Sequence, residues 1–301
     1  MRPLREILLE EYWTVALRRR EQGKELPAGA ASRAFALFQP PKGYWVADPF
    51  LFEEAGETWL FFELFDNRKG RGVIACSALR ADATLSPPQV VLEEAHHLSY
   101  PCVFRRGGAL FLLPESEAAG TVALYRCVEF PTRWEPCKPL LENIRAVDST
   151  LYQKDGSAWL FTAQLTQEQY RTKLLLFALD ADNTLRQHSK SPVAEAQSLR
   201  PAGAVVALGG RLLRPAQLSA GGQYGTGIAF RAIEALNEDD YRESEAYNAL
   251  PENILLCNTA KRPEGLHTYA LSAQYEAVDL KFRRVNLPRI WWILQGKLRK
   301  K

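Results

Sequence analysis

Histidine and cysteine are scarce in this sequence, and their spacing excludes the common metal and disulfide frameworks. The 301 residues include four histidines and five cysteines. An odd cysteine count without a CxxC pair argues against a zinc ribbon or a disulfide-stapled fold. The sequence contains no HxH, no HExxH and no aspartate-rich calcium loop. We therefore expect reduced thiols, no metal site and no cofactor.

Long apolar runs and an excess charge of one sign are also missing. The first 20 residues, MRPLREILLEEYWTVALRRR, place Glu6, Glu10 and Glu11 among the apolar residues, which breaks a signal-peptide core. No run reaches the roughly 18 apolar residues of a membrane span. The net charge is only +3, so nucleic acid is not an expected partner. These features predict a cytoplasmic globular protein.

What the sequence does contain is a repeat. Four segments share a small or polar start, an alternating strand, a turn with glycine and a second apolar strand. They are WVADPFLFEEAGETWLFFE, HLSYPCVFRRGGALFLLPE, RAVDSTLYQKDGSAWLFTAQ and SLRPAGAVVALGGRLLRPAQ. Their turns, Ala55-Gly56-Glu57, Gly107-Gly108, Asp155-Gly156 and Gly209-Gly210, are strong hairpin signals. With Asp48, Tyr100, Asp148 and Arg200 taken as equivalent, the steps are 52, 48 and 52 residues.

This period is typical of a β-propeller, in which each blade covers the exposed faces of its neighbours. A weaker fifth copy starts near His267. The predicted fold is all-β: a five-bladed β-propeller over residues 1–285, in which the N-terminal strand EYWTVAL closes the last blade. A short helical tail is expected over residues 286–301. A β-sandwich with coincidental spacing is the alternative.

The propeller interpretation brings distant residues together. The innermost strands of a propeller run beside its axis, so equivalent positions meet at one mouth of the channel. Asp48, Tyr100, Asp148, Arg200 and His267 are therefore expected around one pocket. A single aspartate before a strand is usually a turn residue, but polar residues at the same phase of successive blades favour a ligand site.

Eight motifs in order resemble a known family. They are WVADPFLF, HLSYPCVF, LPES, AVDSTL, RPAG, RPAQ, QYGTGI and GLHTY. Together they resemble the N-terminal domain of the glucosamine inositolphosphorylceramide transferase family, over roughly Trp13 to Phe282. The resemblance implies a five-bladed propeller distantly related to glycoside hydrolase family 43, in which a channel calcium ion is sometimes held. In the plant members a separate domain is thought to transfer the sugar, so a partner glycosyltransferase is expected here.

The glycoside hydrolase resemblance assigns candidate catalytic residues. Asp48, in an Asp-Pro pair, matches the general base, and Asp148 matches the aspartate that orients substrate. Arg200 stands where the general-acid glutamate is expected. A guanidinium stays charged and cannot donate that proton. Glu115 in LPES is the candidate replacement acid, and His97 is a second candidate because its pKa lies near neutrality.

Arg200 can instead bind a phosphate or carboxylate with its planar fork. Candidate substrate-binding residues are His97, Tyr100, Arg200, Arg214, Gln217, Tyr224 and His267. For Arg214 an ion pair to an acid such as Asp148 is the alternative. The leading functional expectation is a carbohydrate-active propeller of surface-glycan or glycolipid biosynthesis that binds an anionic or phosphate-linked sugar. Two alternatives stay open: a glycoside hydrolase that uses Glu115, and a non-catalytic sugar-binding module.

The last residues, VNLPRIWWILQGKLRKK, place Trp291 and Trp292 beside a basic cluster. This pattern suits the interface of a membrane with anionic lipids, and a peripheral contact with the inner membrane would suit a lipid-linked substrate. Docking of the tail onto the propeller is the alternative. Equal liposome co-sedimentation of the full chain and a chain ending at Leu287 would contradict the membrane contact.

Overall fold

The computed structural model describes residues 9–28, 34–80, 82–221 and 223–285. Strands dominate these ranges, and three short 3-10 helices cover Leu26–Ala28, Glu117–Ala119 and Pro251–Asn253. The first strands are β1 (Leu9–Arg19), β2 (Ala36–Leu37), β3 (Tyr44–Glu54), β4 (Glu57–Asp66), β5 (Arg71–Leu79), β6 (Gln89–Leu92), β7 (Ser99–Arg106), β8 (Ala109–Glu115), β9 (Thr121–Val122), β10 (Tyr125–Glu129), β11 (Arg133–Pro136) and β12 (Leu141–Glu142). The others are β13 (Ala146–Lys154), β14 (Ser157–Leu165), β15 (Arg171–Leu179), β16 (Leu185–Gln187), β17 (Ala194–Gln197), β18 (Val206–Leu208), β19 (Arg211–Ala220), β20 (Gln223–Leu236), β21 (Tyr241–Ala249), β22 (Gly265–Leu271) and β23 (Tyr275–Val285). The all-β prediction is confirmed.

The strands pair as antiparallel meanders that follow the chain. One four-stranded sheet has the order β3-β4-β5-β6, and a second runs β7-β8-β10-β11. A five-stranded sheet holds β13 to β17, and β9 pairs with β12. An eight-stranded sheet consists of β18 to β21 and of β22-β23-β1-β2, joined by one parallel pair between Thr226 and Leu266. Each repeated segment of the sequence thus falls within its own meander.

The four predicted turns are two-residue hairpin loops. The φ angles are 51° and 82° at Ala55-Gly56, 54° and 78° at Gly107-Gly108, 50° and 79° at Asp155-Gly156, and 57° and 75° at Gly209-Gly210. Positive φ at both loop positions is the signature of a type I′ turn, whose twist matches that of the strands it joins. The hairpin predictions are therefore confirmed, down to the turn type that glycine favours.

The N-terminal strand joins the two ends of the chain. The pairing of β1 with β23 runs without interruption from Leu9 with Val285 to Arg19 with Tyr275. On its other side, β1 pairs with β2. The predicted N-terminal strand thus pairs with the last described hairpin and covers an edge that would otherwise be exposed.

Hydrophobic clusters lie between consecutive meanders. Among the described residues, one cluster joins β3–β6 to β7–β11 and another joins β7–β12 to β13–β15. The third and fourth meanders share a cluster, and the fourth and the β22-β23-β1 unit share the largest one. A fifth cluster joins β22, β23 and β1 back to β3–β5. We call these the five intersheet clusters. Among the described residues, the core therefore consists of separate clusters: four join strand groups that follow one another along the chain, and one joins the last group to the first.

Three further expectations from the sequence concern the cysteines, membrane-spanning helices and the tail. All five cysteines are free thiols; Cys76 and Cys102 are buried, and Cys257 is exposed. In the described part of the chain, no helix has the length and apolar character to cross a membrane. The predicted helical tail, with Trp291, Trp292 and the basic residues, lies outside the described residues, so its helix and its membrane contact stay predictions.

Candidate functional site

Asp48, Tyr100 and Asp148 share an unusual backbone conformation. Their φ angles are 53°, 46° and 54°, in a left-handed region that non-glycine residues rarely occupy. Each lies in a β-bulge at the start of its meander, where one extra residue interrupts the pairing with the next strand. Bulges turn a side chain away from its regular direction. The equivalence that was proposed from spacing therefore holds as a repeated local structure for these three residues, whereas Arg200 does not share the positive φ.

Asp48 is part of a buried network around His267. The Nε2 atom of His267 lies 3.2 Å from Oδ1 of Asp48, and Nδ1 lies 2.8 Å from Oδ2 of Asp279. The second contact is an ion pair without the alignment of a hydrogen bond. Thr268 donates its hydroxyl to Oδ1 of Asp48 over 2.9 Å. The backbone N–H of Asp48 donates to Asp279, also over 2.9 Å. We call Asp48, His267, Thr268 and Asp279 the histidine network.

The histidine network has defined charges. Burial alone would lower the pKa of His267, but the carboxylates of Asp279 and Asp48 outweigh it and raise that pKa to about 10. Burial would raise the pKa of Asp48, but His267 and Thr268 hold it below its usual value. At neutral pH an imidazolium therefore lies between two carboxylates. Asp48 is thus ionised, as a general base requires.

The same residues could in principle hold a metal ion. Ligand atoms of Asp48, His267 and Asp279 lie within 4.8 Å of one another. A protonated imidazole has no free lone pair, so a metal would first have to displace a proton whose pKa is about 10. The positive charge that the two carboxylates need is already supplied by His267. The protonated histidine thus balances the two carboxylates, and the expectation of no metal, like the calcium ion considered from the sequence, stays a prediction.

Arg200 organises the second half of the site. Its Nε donates to Oδ2 of Asp148 over 2.6 Å, and its Nη2 lies 3.6 Å from Oε2 of Glu115. Gln217 donates to the same Asp148 oxygen over 2.8 Å. The guanidinium carbon lies 5.3 Å from the centre of the Tyr224 ring. Contacts of Arg200 and Asp148 therefore join residues from the second, third and fourth repeated segments of the sequence: Glu115, Asp148, Arg200 and Gln217.

Glu115 differs from Asp48 in its charge. Burial raises the pKa of Glu115 to about 8; the negative charge of Asp148 adds to this effect and Arg200 opposes it. Glu115 is therefore protonated at neutral pH. Burial also raises the pKa of Asp148, although Arg200, which donates to it over 2.6 Å, opposes this effect. The site thus combines the ionised Asp48 with the protonated Glu115.

Tyr224 connects the two halves. Its ring lies edge-on to His267, with centroids 5.2 Å apart, and the Trp13 ring lies 4.1 Å from His267 on centroids. Gly225 makes this approach feasible because its φ is 64° and a Cβ there would lie 2.7 Å from the Trp13 ring. This contact explains Gly225, the first of the two glycines in the QYGTGI motif. We call the histidine network together with Glu115, Asp148, Arg200, Gln217 and Tyr224 the central cluster.

Tyr100 lies beside this cluster with its hydroxyl already engaged. The hydroxyl accepts from the N–H of Gly203 over 2.6 Å and bonds with Thr150 over 2.7 Å. The side chain is buried. Tyr100 therefore ties three meanders together. The contact with substrate that the sequence suggested would require this hydroxyl to leave those partners.

Arg214 does not lie where the sequence analysis placed it. Its guanidinium makes two hydrogen bonds of 2.8 Å to Glu243 and a third, of 3.2 Å, to the carbonyl of Leu199. The side chain is 1% exposed. The favoured ligand contact is therefore replaced by an ion pair within the sheet. The alternative of an ion pair was right in kind, but its partner is Glu243 and not Asp148.

His97 lies at the edge of the site, next to an acid that the sequence analysis missed. Its Nδ1 accepts the N–H of Gly72 over 2.8 Å, and its Nε2 lies 3.5 Å from Oε1 of Glu63. The missed residues are Glu63, Asp279, Thr268 and Trp13. Glu63 and Asp279 are acids within otherwise apolar strands, FFELF and AVDLKF. A charge is costly to bury in such strands unless it has a partner, so this pattern was a usable signal.

Comparison with known proteins identifies the family. Residues 36–272 match the family model described as glucosamine inositolphosphorylceramide transferase 1, N-terminal. The chain belongs to this family. The match includes most of the central cluster, from Asp48 to His267, but Trp13 and Asp279 lie outside it. The sequence-based resemblance is thereby confirmed.

Two longer curated relatives bear the name of the family. The protein named glucosamine inositolphosphorylceramide transferase 1 from Arabidopsis thaliana is 32% identical over 207 residues, which is 66% of this chain and 27% of the relative. Its namesake from Oryza sativa subsp. indica is 29% identical over 244 residues, 77% of this chain and 32% of the relative. The chain therefore spans about a third or less of these relatives.

Solved structures show the fold class. An α-L-arabinofuranosidase from Podospora anserina matches with a TM-score of 0.57 and 13% identity, over 81% of this chain and 93% of that chain. An α-L-arabinofuranosidase from Lactobacillus brevis matches with a TM-score of 0.54 and 13% identity, over 77% and 80% of the two chains. At such identity the likeness concerns the fold alone.

Proposed function

We propose that this chain is a carbohydrate-active domain of glycan or glycolipid biosynthesis that binds an anionic or phosphate-linked sugar through Arg200. Family membership supports the biosynthetic setting, since the relatives are named glucosamine inositolphosphorylceramide transferase 1. That name contains an inositol ring joined to a phosphate, which is the chemistry that an arginine fork recognises. The proposal also includes a partner glycosyltransferase and a cytoplasmic or membrane-peripheral location, as expected from the sequence.

A five-bladed propeller is the architecture we propose for this site. The five intersheet clusters support it, because they link the meanders in chain order and return from the last to the first. In this arrangement β3, β7 and β13 are inner strands, and β3 lies in contact with both β7 and β22. The central cluster would then lie at one mouth of the channel.

The carrying observation is the set of unused donors on Arg200. Among the described residues, its guanidinium forms a hydrogen bond only through Nε, to Asp148. The distance from Nη2 to Glu115, 3.6 Å, is too long for a hydrogen bond. The side chain is 23% exposed. Arg200 is thus held in place by one nitrogen while the Nη groups stay available to the oxygens of a phosphate or carboxylate.

Calorimetric titration with inositol 1-phosphate tests this proposal, and myo-inositol is the matched ligand without the phosphate. We expect the phosphate ester to bind more tightly. Arg200→Ala should lower its affinity by about 10- to 100-fold, since charge-assisted hydrogen bonds contribute roughly 1.5–3 kcal/mol. Arg200→Lys keeps the charge beside Asp148 but loses the fork, so we expect an intermediate loss.

Arg133→Ala is the control variant, because Arg133 is 64% exposed and pairs with Glu135 on its own strand. Its affinity should equal that of the wild type. Equal binding of the two ligands, together with unchanged affinity in Arg200→Ala, would contradict the phosphate assignment. Release of free sugar from an aryl glycoside, abolished by Glu115→Gln, would instead favour the hydrolase alternative, which the opposite pKa shifts of Asp48 and Glu115 support. If the protein binds sugar without turning it over, and Asp48→Asn leaves the affinity unchanged, the non-catalytic sugar-binding module is favoured.

A further inference from the structure

Glu63 is a buried acid without a hydrogen-bond partner. It is 4% exposed and lies on β4, across from Ala47 and therefore next to Asp48 along β3. Its Oε1 atom is fully buried and forms no hydrogen bond within the described residues. A buried polar atom of this kind normally has a partner in the protein, an ordered water or a ligand.

The fold makes room for this side chain at Gly72. A Cβ at position 72 would lie 2.3 Å from Oε1 of Glu63 and 2.6 Å from the carbonyl oxygen of Leu98. The glycine is therefore required for Glu63 to occupy its position. The same residue donates its N–H to Nδ1 of His97 over 2.8 Å.

The bond from Gly72 fixes the tautomer of His97. A ring nitrogen that accepts a hydrogen bond carries no proton, so a neutral His97 carries its proton on Nε2. Burial lowers the pKa of His97, with Asp48 opposing, and this keeps the ring neutral. The Nε2–H group is therefore the one that faces Oε1 of Glu63, 3.5 Å away. His97 is half-buried, with 35% of its side chain exposed.

The charges around Glu63 favour its neutral form. Burial raises its pKa well above the usual range; Asp48, Glu115 and Asp279 raise it further, and His267 opposes them. With His97 neutral, no cation contacts the carboxyl. A neutral carboxyl carries an O–H that needs an acceptor.

We propose that Glu63 and His97 form a proton-holding pair of the ligand site, in which the neutral carboxyl of Glu63 donates a hydrogen bond to an oxygen of the bound sugar. His97 is a positioning residue that orients the carboxyl. The inference deepens the proposed function and rests on it for the class of ligand. It assigns Glu63 a direct contact that neither the sequence motifs nor the family match single out.

Infrared difference spectroscopy near neutral pH tests the proton and the contact together. The free wild-type protein should show the carbonyl stretch of a neutral carboxyl group, and saturating inositol 1-phosphate should shift it. The Glu63→Gln variant should lack this component, whereas Glu115→Gln should keep it. If Glu63→Gln removes no component from the band of the free protein, or if bound ligand does not shift the component that it removes, the inference is overturned.

Affinities provide a second measurement. Glu63→Gln keeps a neutral donor of similar shape, so its affinity for inositol 1-phosphate should stay within about threefold of the wild type. Glu63→Leu removes the donor and should lose about tenfold, the effect of one hydrogen bond of about 1.4 kcal/mol. Equal affinity of all three proteins would refute the contact. If the wild type does not bind inositol 1-phosphate, the proposed function fails, and the component of the free-protein band that Glu63→Gln removes then supports or overturns a neutral Glu63.

Discussion

At the scale of single residues, His267 holds the site together through its charge. It lies between Asp48 and Asp279, is 4% exposed, and supplies the positive charge that keeps two carboxylates buried side by side. Removing one partner of a buried ion pair leaves an uncompensated charge, which costs more than the pair itself contributes. His267 therefore stabilises the folded protein as well as forming part of the candidate site.

His267→Gln should destabilise the protein by about 3–5 kcal/mol, as expected for a broken buried ion pair. Asp279→Asn in the same chain should restore part of that loss, because it removes one of the two stranded carboxylates. Thermal unfolding of the single and double variants measures this coupling. Strictly additive effects of the two substitutions would contradict the network.

The pKa of His267 also determines a pH dependence. The folded pKa of about 10 lies above the ordinary 6.5. The contribution of His267 to stability is therefore fully present below about pH 6.5 and is lost as the pH rises toward 10. The stability of the wild type should decline over that window, and His267→Gln should flatten the decline.

The single residues also show how far the sequence could predict the site. Asp48, Asp148 and Arg200 were found because their spacing repeats, and His267 because it opens a weaker fifth copy; the structure brings Asp48 next to His267 and Asp148 next to Arg200. Arg214 was misplaced because its partner Glu243 lies 29 positions away with no motif to mark it. Glu63 was missed because an acid in an apolar strand reveals its partners only when neighbouring strands are in place.

At the scale of elements, local chemistry was readable. Two-residue turns with glycine predicted four hairpins, because only a few residue pairs tolerate positive φ at both positions. The close packing of the RPAG segment was harder to predict from the sequence. Gly203 has φ of 127°, and a Cβ there would lie 1.9 Å from the carbonyl oxygen of Tyr269. This segment therefore packs directly against β22, a contact that no local pattern predicts.

Substitutions of two glycines with positive φ test whether the contact with Tyr269 stabilises the fold. Gly203→Ala combines backbone strain with a collision against backbone that cannot move aside, and we expect a loss of more than about 3 kcal/mol in unfolding free energy. Gly209→Ala is the matched control, because its φ is 57° and nothing lies within 4 Å of its Cβ position. It should cost only about 1 kcal/mol, from strain alone. Equal losses in chemical denaturation would show that the contact with Tyr269 is unimportant.

At the scale of the whole molecule, stability depends on the connection between the two ends of the chain. β1 contributes Val15 and Leu17 to the cluster shared with β3–β5, and Ala16 to the cluster shared with β18–β21. It also carries Trp13 onto His267. Two of the five intersheet clusters are therefore incomplete without β1. The N-terminal strand was expected from the sequence to close the last repeat, and its uninterrupted pairing with β23 is the contact that the structure shows.

Deletion of residues 1–20 should therefore abolish cooperative thermal unfolding and expose apolar surface that binds a hydrophobic dye. Burial of Val15 and Leu17 alone contributes about 3–6 kcal/mol, at 1.5–3 kcal/mol for each side chain, which is comparable to the whole stability of many domains. A synthetic peptide of residues 9–19 added in trans should restore the transition in proportion to its concentration, because it pairs with β23 only in the folded state. A peptide of the same composition in scrambled order is the control and should restore nothing. If the truncated chain unfolds cooperatively at the temperature of the wild type, the ring is not closed through β1, and the central cluster must be held together by the remaining sheets.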